Sequence, residues 1–245
     1  MPLRIGFDMD GVVADLNAAL LREARVLFPE LDLQAAGRAH PELAPAGPAD
    51  GDRAGTDPAE IVPPSLRLTP RQQRQLWDAV KSTTNFWETL DETEPGIVAR
   101  IADTAHTRRW EVIFLTSRPS SAGDIVQVQS QRWLRRHGFE YPSIFVVSTS
   151  RGRIASALEL DVVIDDRPEN CLDIALDSKA RAILIWRGEE TGVSASARRL
   201  GIGGTASVAE CLDLLIEADV PEGGATLMGR LRKLLRLKTP SPQSV

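Results

Sequence analysis

Five short apolar runs divide the chain, and each has the length of one β-strand. Hydrophobic residues occupy consecutive positions in these runs instead of alternating with polar ones, which is typical of strands buried on both faces of a parallel sheet. The runs are Arg4 to Asp8, Val112 to Thr116, Ile144 to Ser148, Val162 to Asp166 and Ala182 to Trp186.

Amphipathic helical patterns lie between and around these runs. Thr69 is the expected N-cap of one helix, with Pro70 in its first position. Alternating strands and helices predict an α/β fold, a Rossmann-like doubly wound parallel sheet, in which ligands bind outside the carboxyl ends of the strands. The predicted helices are Asn17 to Phe28, Pro70 to Lys81, Ala122 to His137, Arg153 to Leu160, Glu169 to Asp177 and Val208 to Ala218.

The stretch between the first two strands has no convincing buried strand of its own. We therefore predict a core of residues 1–15 and 95–220 with a small helical cap, 16–94, inserted after the first strand. Within the cap, residues 34–64 are rich in Ala, Gly, Pro and Asp and are expected to form a long or partly disordered loop. Residues 221–245 form a basic tail, whose amphipathic piece Leu227 to Leu237 is either a solvated helix or a docking element for a membrane surface or partner.

Composition narrows the class of protein. The chain has 245 residues and a formal net charge of −5, so it lacks the basic balance of a protein that binds along nucleic acid. Its two cysteines, Cys171 and Cys211, have no metal-ligand spacing and are expected to be buried free thiols. No signal-peptide pattern and no membrane-length apolar run is visible, which together favour a cytoplasmic protein.

Two acidic motifs follow apolar runs. The first is Asp8-Met9-Asp10-Gly11, where Gly11 permits a sharp turn after the strand. The second is Asp165-Asp166, which ends the fourth run. Carboxylates this close repel each other unless a cation lies between them, and hard oxygen donors without His or Cys favour Mg²⁺. The alternative is that these acids only cap turns or helices.

Hydroxyl and cationic groups accompany the acidic motifs. Thr116-Ser117-Arg118 ends the second run and is predicted to bind phosphate through hydroxyls, backbone N–H groups and charge, although Thr-Ser after a strand is also a common turn. Arg151 and Arg153 stand at the start of a predicted helix, where cations are slightly unfavourable unless an anion is bound. A solvated face is the alternative for these two arginines.

In combination and order, DMDGVVAD and VVIDDRPEN resemble motifs of the haloacid-dehalogenase-like superfamily of phosphatases and phosphotransferases. The resemblance implies that Asp8 is a nucleophile forming an aspartyl-phosphate and that Asp10 is the general acid and base. It also implies that Thr116 binds the transferring phosphoryl group. Asp166 would be a direct Mg²⁺ ligand, together with Asp8 and the main-chain carbonyl of Asp10. Asp165 would either bind the ion directly or lie in the next layer around it, and Asn170 would orient the metal site.

The chain departs from the family at one motif. The family's cationic residue is usually a lysine, and here only Arg151 or Arg153 is available. Arginine can neutralise phosphate but is not equivalent to lysine. We prefer Arg151 because it stands at the expected helix start.

The substrate expectation comes from the end of the cap. Asn85 to Leu90 and Glu94-Pro95-Gly96 resemble the 5′(3′)-deoxyribonucleotidase group, in which case Trp77, Phe86 and Trp87 could stack a nucleobase; alternatively, these rings form the core of the cap. We expect a small phosphorylated substrate, preferably a nucleoside monophosphate, and no stable nucleic-acid complex. Phosphatase activity on nucleic-acid ends or sugar phosphates, and a non-catalytic phosphate- or metal-binding role, stay open as alternatives. The oligomeric state is not predicted.

Overall fold

The computed structural model contains one six-stranded parallel sheet with flanking helices, which confirms the predicted α/β class. It describes residues 2–31, 66, 68–147, 149–187, 195–219 and 227–235. The strand order is β3-β2-β1-β4-β5-β6. The strands are β1 (Arg4–Asp8), β2 (Glu111–Thr116), β3 (Ser143–Val146), β4 (Val162–Asp165), β5 (Arg181–Ile185) and β6 (Gly203–Thr205).

Nine α-helices lie within the described residues, together with a 3₁₀ turn at Phe86–Glu88. No described helix has both the length and the apolarity needed to cross a bilayer. The helices are α1 (Leu16–Leu27), α2 (Pro70–Ser82), α3 (Ile97–Arg108), α4 (Val126–Arg136), α5 (Arg151–Ala157), α6 (Pro168–Asp177), α7 (Ala195–Arg199), α8 (Val208–Asp219) and α9 (Leu227–Leu234).

The chain divides into two compact units. The N-terminal unit is Phe7–Thr149, and the C-terminal unit joins Met1–Gly6 to Ser150–Val245. The predicted limits of core, cap and tail stay a prediction. The predicted 34–64 loop lies outside the described residues.

Neighbouring strands of the sheet pair residues that belong to the predicted apolar runs. In the N-terminal unit, Thr116 of β2 pairs with Val146 of β3. In the C-terminal unit, Asp165 of β4 pairs with Leu184 of β5. β4 is buried along its whole length, as expected for a parallel strand covered on both faces.

The start of α2 confirms the predicted cap. The Thr69 hydroxyl accepts a hydrogen bond from the Gln72 N–H, and the Gln72 side chain accepts one from the Thr69 N–H at 2.9 Å. This capping box satisfies two N–H groups that the helix would leave unpaired. Leu76, Trp77 and Val80 form the buried face of the helix.

The predicted start of α4 at Ala122 is wrong. Gly123 has a φ of +94°, which no helix accommodates, and the helix begins only at Val126. Residues before it are bonded elsewhere: the Ala122 N–H donates to Lys81 O at 2.7 Å, and the Ala122 carbonyl accepts from the Asn85 N–H at 2.7 Å. Ile125, the residue immediately before the helix, is 67% exposed.

The predicted limits of α5 are also wrong. Ser150 caps this helix by accepting a hydrogen bond from the Arg153 N–H at 3.1 Å, so the helix begins at Arg151. Glu159 has a φ of +50°, which ends the helix before Leu160.

Three elements have no counterpart among the predictions: α3, α7 and β6. Of these, α3 carried a readable signal, since Ile97, Ile101 and Ala105 are buried at helical spacing. β6 is a Gly-Gly-Thr segment without the apolar run that identified the other strands.

Gly152 allows α5 to approach α6 closely. A Cβ at this position would lie 2.3 Å from the Asp173 carbonyl oxygen. We expect Gly152→Ala to lower the free energy of unfolding by about 1–3 kcal/mol, the usual cost of overpacking, as measured by urea denaturation. Ser156→Ala, at an exposed position of the same helix, is the control. Equal stability of the two variants would contradict the close approach.

Candidate active site

The first candidate group lies in the N-terminal unit, at and just beyond the ends of β1 and β2. It consists of Asp8, Asp10, Thr116 and Arg118. The Met9 N–H donates to Leu115 O at 3.1 Å, which holds the chain after β1 beside β2. Asp8, the last residue of β1, and Thr116, the last of β2, are both buried. Since the strands are parallel, their carboxyl ends share one edge of the sheet, as the sequence predicts.

The turn after β1 is defined by backbone hydrogen bonds. Gly11 has a φ of +84°, its N–H donates to Ala14 O at 2.8 Å, and the Ala14 N–H donates back to Met9 O at 2.8 Å. The left-handed conformation favours glycine at this position. The turn exposes part of Asp10, whose side chain keeps 17% of its surface accessible.

Asp10 is bound by Arg118 through a forked ion pair. Arg118 Nε lies 3.0 and 2.9 Å from the two Asp10 carboxylate oxygens, and Nη2 lies 2.7 Å from Oδ1. The Thr116 hydroxyl donates to Asp10 Oδ2 at 3.2 Å. Three predicted site residues are therefore in direct contact. The sequence predicts that Arg118 binds phosphate, whereas in the structure its guanidinium binds Asp10. Removing one partner of a buried ion pair typically costs about 3–5 kcal/mol.

Sequence reasoning missed the residues that support this ion pair. Arg118 Nη1 donates to Ser130 Oγ at 2.9 Å, and the neighbouring Gln129 side chain accepts from the Trp87 N–H at 3.1 Å. Both Gln129 and Ser130 are completely buried. The sequence did carry a signal for them: Gln129 and Ser130 are polar residues on the same face of α4 as the apolar Val126 and Trp133.

The predicted substrate aromatics are buried. Trp87 is 0% and Phe86 1% exposed, their rings meet edge to face at 5.1 Å, and Trp77 is buried on α2. The Trp87 indole N–H donates to Pro119 O at 3.0 Å. Burial favours the alternative in which these rings form a local core.

The second candidate group lies in the C-terminal unit around Asp165, which is 0% exposed. Its oxygens accept hydrogen bonds from Asn170 Nδ2 at 3.1 and 3.0 Å and from the Arg167 N–H at 2.9 Å. Arg151 Nε lies 3.9 Å from Asp165 Oδ2. Burial raises the pKa of the Asp165 carboxyl above its ordinary value, while the charge of Arg151 and these hydrogen bonds oppose the shift.

The two candidate arginines differ in environment. Arg151 is buried beside Asp165, whereas Arg153 is exposed. The carboxylate of Asp173, on α6, holds the start of α5, where Arg151 lies: it accepts hydrogen bonds from the Ser150 hydroxyl at 2.8 Å and from the Gly152 N–H at 2.9 Å. Sequence reasoning did not identify Asp173. Burial and pairing therefore favour Arg151, the residue preferred from the sequence.

The donor groups of the candidate residues determine which metal ion they could hold. No cluster of three or more His, Cys, Asp or Glu side chains in the described part of the chain is spaced to hold an ion. The donor chemistry nevertheless suits Mg²⁺, because the candidate residues offer hard carboxylate oxygens. Burial raises the pKa of Asp165 because it disfavours the charged carboxylate, and a nearby cation would offset that cost.

The chain is similar to known proteins both in fold and in sequence. The fold resembles that of a HAD family hydrolase from Deinococcus radiodurans R1 with bound phosphate and sodium (TM-score 0.51, 16% identity, covering 89% of this chain and 96% of that one). It also resembles a candidate β-phosphoglucomutase from Thermotoga maritima (TM-score 0.50, 18% identity, 88% and 99%). These structures show a shared fold, and at this level the resemblance to haloacid-dehalogenase-like proteins is confirmed.

In sequence, the chain is similar to the mitochondrial 5′(3′)-deoxyribonucleotidase of Mus musculus, with 27% identity over 167 residues. The match covers 68% of this chain and 66% of that protein, so the chain spans just under two thirds of its length. No family model matches the chain.

The raised pKa of Asp165 predicts a pH-dependent stability. A carboxyl whose pKa is higher in the folded state stabilises the protein below its unfolded value, near pH 4, and this contribution is lost as the pH rises through the folded pKa. In EDTA, the free energy of unfolding of the wild type should therefore fall relative to that of Asp165→Asn as the pH rises from about 4.

Urea denaturation at several pH values measures this difference. Asp213→Asn, at an exposed position of α8 in the same unit, controls for the loss of one carboxylate. A wild type that gains stability over Asp165→Asn as the pH rises would contradict the prediction, because it would mean that the anion is the favoured form.

Proposed function

We propose that the protein is a phosphomonoester hydrolase that acts through an aspartyl-phosphate on Asp8. The observation that carries the proposal is the contact of Asp10 with Thr116 and Arg118 beyond the ends of β1 and β2, beside the buried Asp8. The order of the acidic motifs in the sequence and the shared fold with a HAD family hydrolase support it.

The proposed reaction has two steps. An Asp8 carboxylate oxygen bonds to phosphorus while the bond from phosphorus to the leaving oxygen breaks, and Asp10 gives its proton to that oxygen. Asp10 then takes a proton from water, whose oxygen bonds to phosphorus and releases phosphate with regeneration of Asp8. Covalent catalysis of this kind replaces one difficult step by two easier ones.

Cations would reduce the repulsion between phosphate and Asp8. Arg151 is the preferred arginine, and Thr116 with Ser117 would bind phosphate oxygens. Asp8, the Asp10 carbonyl, Asp165 and Asp166 would hold Mg²⁺, with Asn170 orienting Asp165. The ion would supply charge neutralisation and orientation of the phosphate.

A nucleoside monophosphate is the proposed substrate. The support is the 27% identity to a deoxyribonucleotidase, together with the Asn85 to Leu90 motif. Buried Phe86 and Trp87 give no further support, because their faces pack inside the unit. Sugar phosphates are the second candidate.

Phosphate release from nucleoside 5′- and 3′-monophosphates, sugar phosphates and p-nitrophenyl phosphate tests these proposals. We expect release with Mg²⁺, loss of release in EDTA, and preference for nucleotides. Preference for sugar phosphates would keep the chemistry and reject the nucleotide. No release from any substrate would favour the non-catalytic alternative.

Asp8→Asn should abolish turnover while the protein stays folded, because the amide is a poor nucleophile of nearly the same shape. Asp91→Asn is the matched control, since Asp91 is an exposed acid paired with Arg22. Activity is measured by phosphate release and folding by circular dichroism. Full activity in purified Asp8→Asn would reject the aspartyl-phosphate mechanism.

A further inference from the structure

Arg118 is almost fully enclosed by the protein, although it follows directly on the residues proposed to bind phosphate. It is 4% exposed, and three of its nitrogens make hydrogen bonds: Nε and Nη2 donate to the Asp10 carboxylate, and Nη1 donates to Ser130 Oγ. A guanidinium has five N–H donors in one plane, and here the donors on two of its nitrogens reach both oxygens of a carboxylate.

The face of the guanidinium is also covered. Arg118 Cζ lies 4.9 Å from the centroid of the Trp87 ring, within the range of a cation–π contact. Trp87 is itself fixed, because its indole donates to Pro119 O and its backbone N–H donates to Gln129 Oε1. Arg118 is therefore held from its edge by Ser130 and from its face by Trp87.

The fork constrains Asp10 in a way that other contacts do not. Asp10 lies on a turn beyond β1, where a carboxylate without partners would rotate about its side-chain bonds. Arg118 bonds both carboxylate oxygens, while Thr116 bonds only Oδ2. A lysine could supply the charge but not the planar fork.

We propose that Arg118 is a positioning residue that fixes the Asp10 carboxyl for proton transfer, and not a ligand of the substrate phosphate. This inference rests on the proposed function, because it assigns the role of Arg118 through the proton that Asp10 transfers. The segment Phe86–Glu88 and helix α4 take part in it, since they hold Trp87 and Ser130 against the guanidinium.

The dependence of kcat/KM on the basicity of the leaving group distinguishes a positioning role of Arg118 from a role in binding phosphate. A nucleoside 5′-monophosphate needs a proton on its leaving oxygen, whereas p-nitrophenolate leaves without one. In Arg118→Gln, kcat/KM for the nucleotide should fall by about 10²-fold more than kcat/KM for p-nitrophenyl phosphate, which is the low end of the usual contribution of general acid catalysis. The ratio kcat/KM is used because it reports the first chemical step.

Inhibition by inorganic phosphate gives an independent readout. If Arg118 only positions Asp10, the inhibition constant for phosphate is unchanged in Arg118→Gln. A tenfold or greater weakening of this inhibition would overturn the proposal in favour of phosphate binding. Equal losses of kcat/KM on both substrates would overturn it in favour of a structural role.

Chemical rescue tests the fork directly. Added guanidinium should restore part of the nucleotide activity of Arg118→Ala, while urea, a neutral molecule of similar shape, should not. Arg118→Lys should behave like Arg118→Gln, because a point charge does not fix the carboxylate plane. Full activity of Arg118→Lys on the nucleotide would overturn the proposal.

Two further variants keep the test decisive. Arg132→Gln removes a half-exposed arginine of α4 that pairs with Glu88 and Asp124, and it should leave both substrates unaffected. If Arg118→Gln does not fold, Ser130→Ala removes one support of the guanidinium and leaves the ion pair, and the same leaving-group dependence is expected in smaller size. Ser130→Ala with no such dependence would overturn the inference.

The outcomes for the two proposals are distinguishable. A wild type without phosphatase activity on any substrate would overturn the proposed function, and the inference with it. An active wild type that is inactivated by Asp8→Asn but shows no leaving-group dependence in the Arg118 variants would overturn the inference alone.

Discussion

A carboxylate taken out of water at the end of a strand requires compensation by a cation or by hydrogen-bond donors. Both candidate groups obey this constraint in the same way. In the N-terminal unit a buried Arg118 faces Asp10, and in the C-terminal unit a buried Arg151 lies near Asp165. The compensation differs in completeness. Asp10 receives a bidentate fork, whereas Asp165 is 3.9 Å from its arginine and relies on Asn170 and a backbone N–H. Burial raises the pKa of Asp165, and the charge of Arg151 and these hydrogen bonds oppose that shift.

Local patterns predicted most of the fold. Apolar runs identified five of the six strands because parallel strands buried on both faces need consecutive hydrophobic residues. Thr69 and Pro70 identified the start of α2 because capping is a local interaction. β6 was missed because its Gly-Gly-Thr sequence contributes backbone pairing without an apolar run. The start of α4 was misplaced because bonds from Ala122 to Lys81 and Asn85, far away in sequence, displace the helix.

The candidate site was predicted in its residue types but not in its pairings. Motif order suggested Asp8, Asp10 and Thr116 as candidates because each lies at or just beyond the end of an apolar run, and the same reasoning suggested Asp165 at the end of the fourth run. The partner of Arg118 could not be inferred in this way, since Asp10 is 108 residues distant and a phosphate would also satisfy a guanidinium. The preference for Arg151 over Arg153 rested on helix position, and burial of Arg151 now supports it independently.

The chain from Asp15 to Asp91 leaves and returns at nearly one point. The Asp15 N–H donates to Asp91 O at 2.8 Å, and the Thr93 N–H donates to Val13 O at 3.0 Å. Such an excursion is a closed loop whose ends are fastened by the backbone, independently of the side chains between them. Doubling the length of a flexible loop costs only about 0.6 kcal/mol. Insertions or exchanges of sequence within this excursion, outside the Phe86–Glu88 segment whose Trp87 covers Arg118, therefore need not displace the turn that carries Asp10.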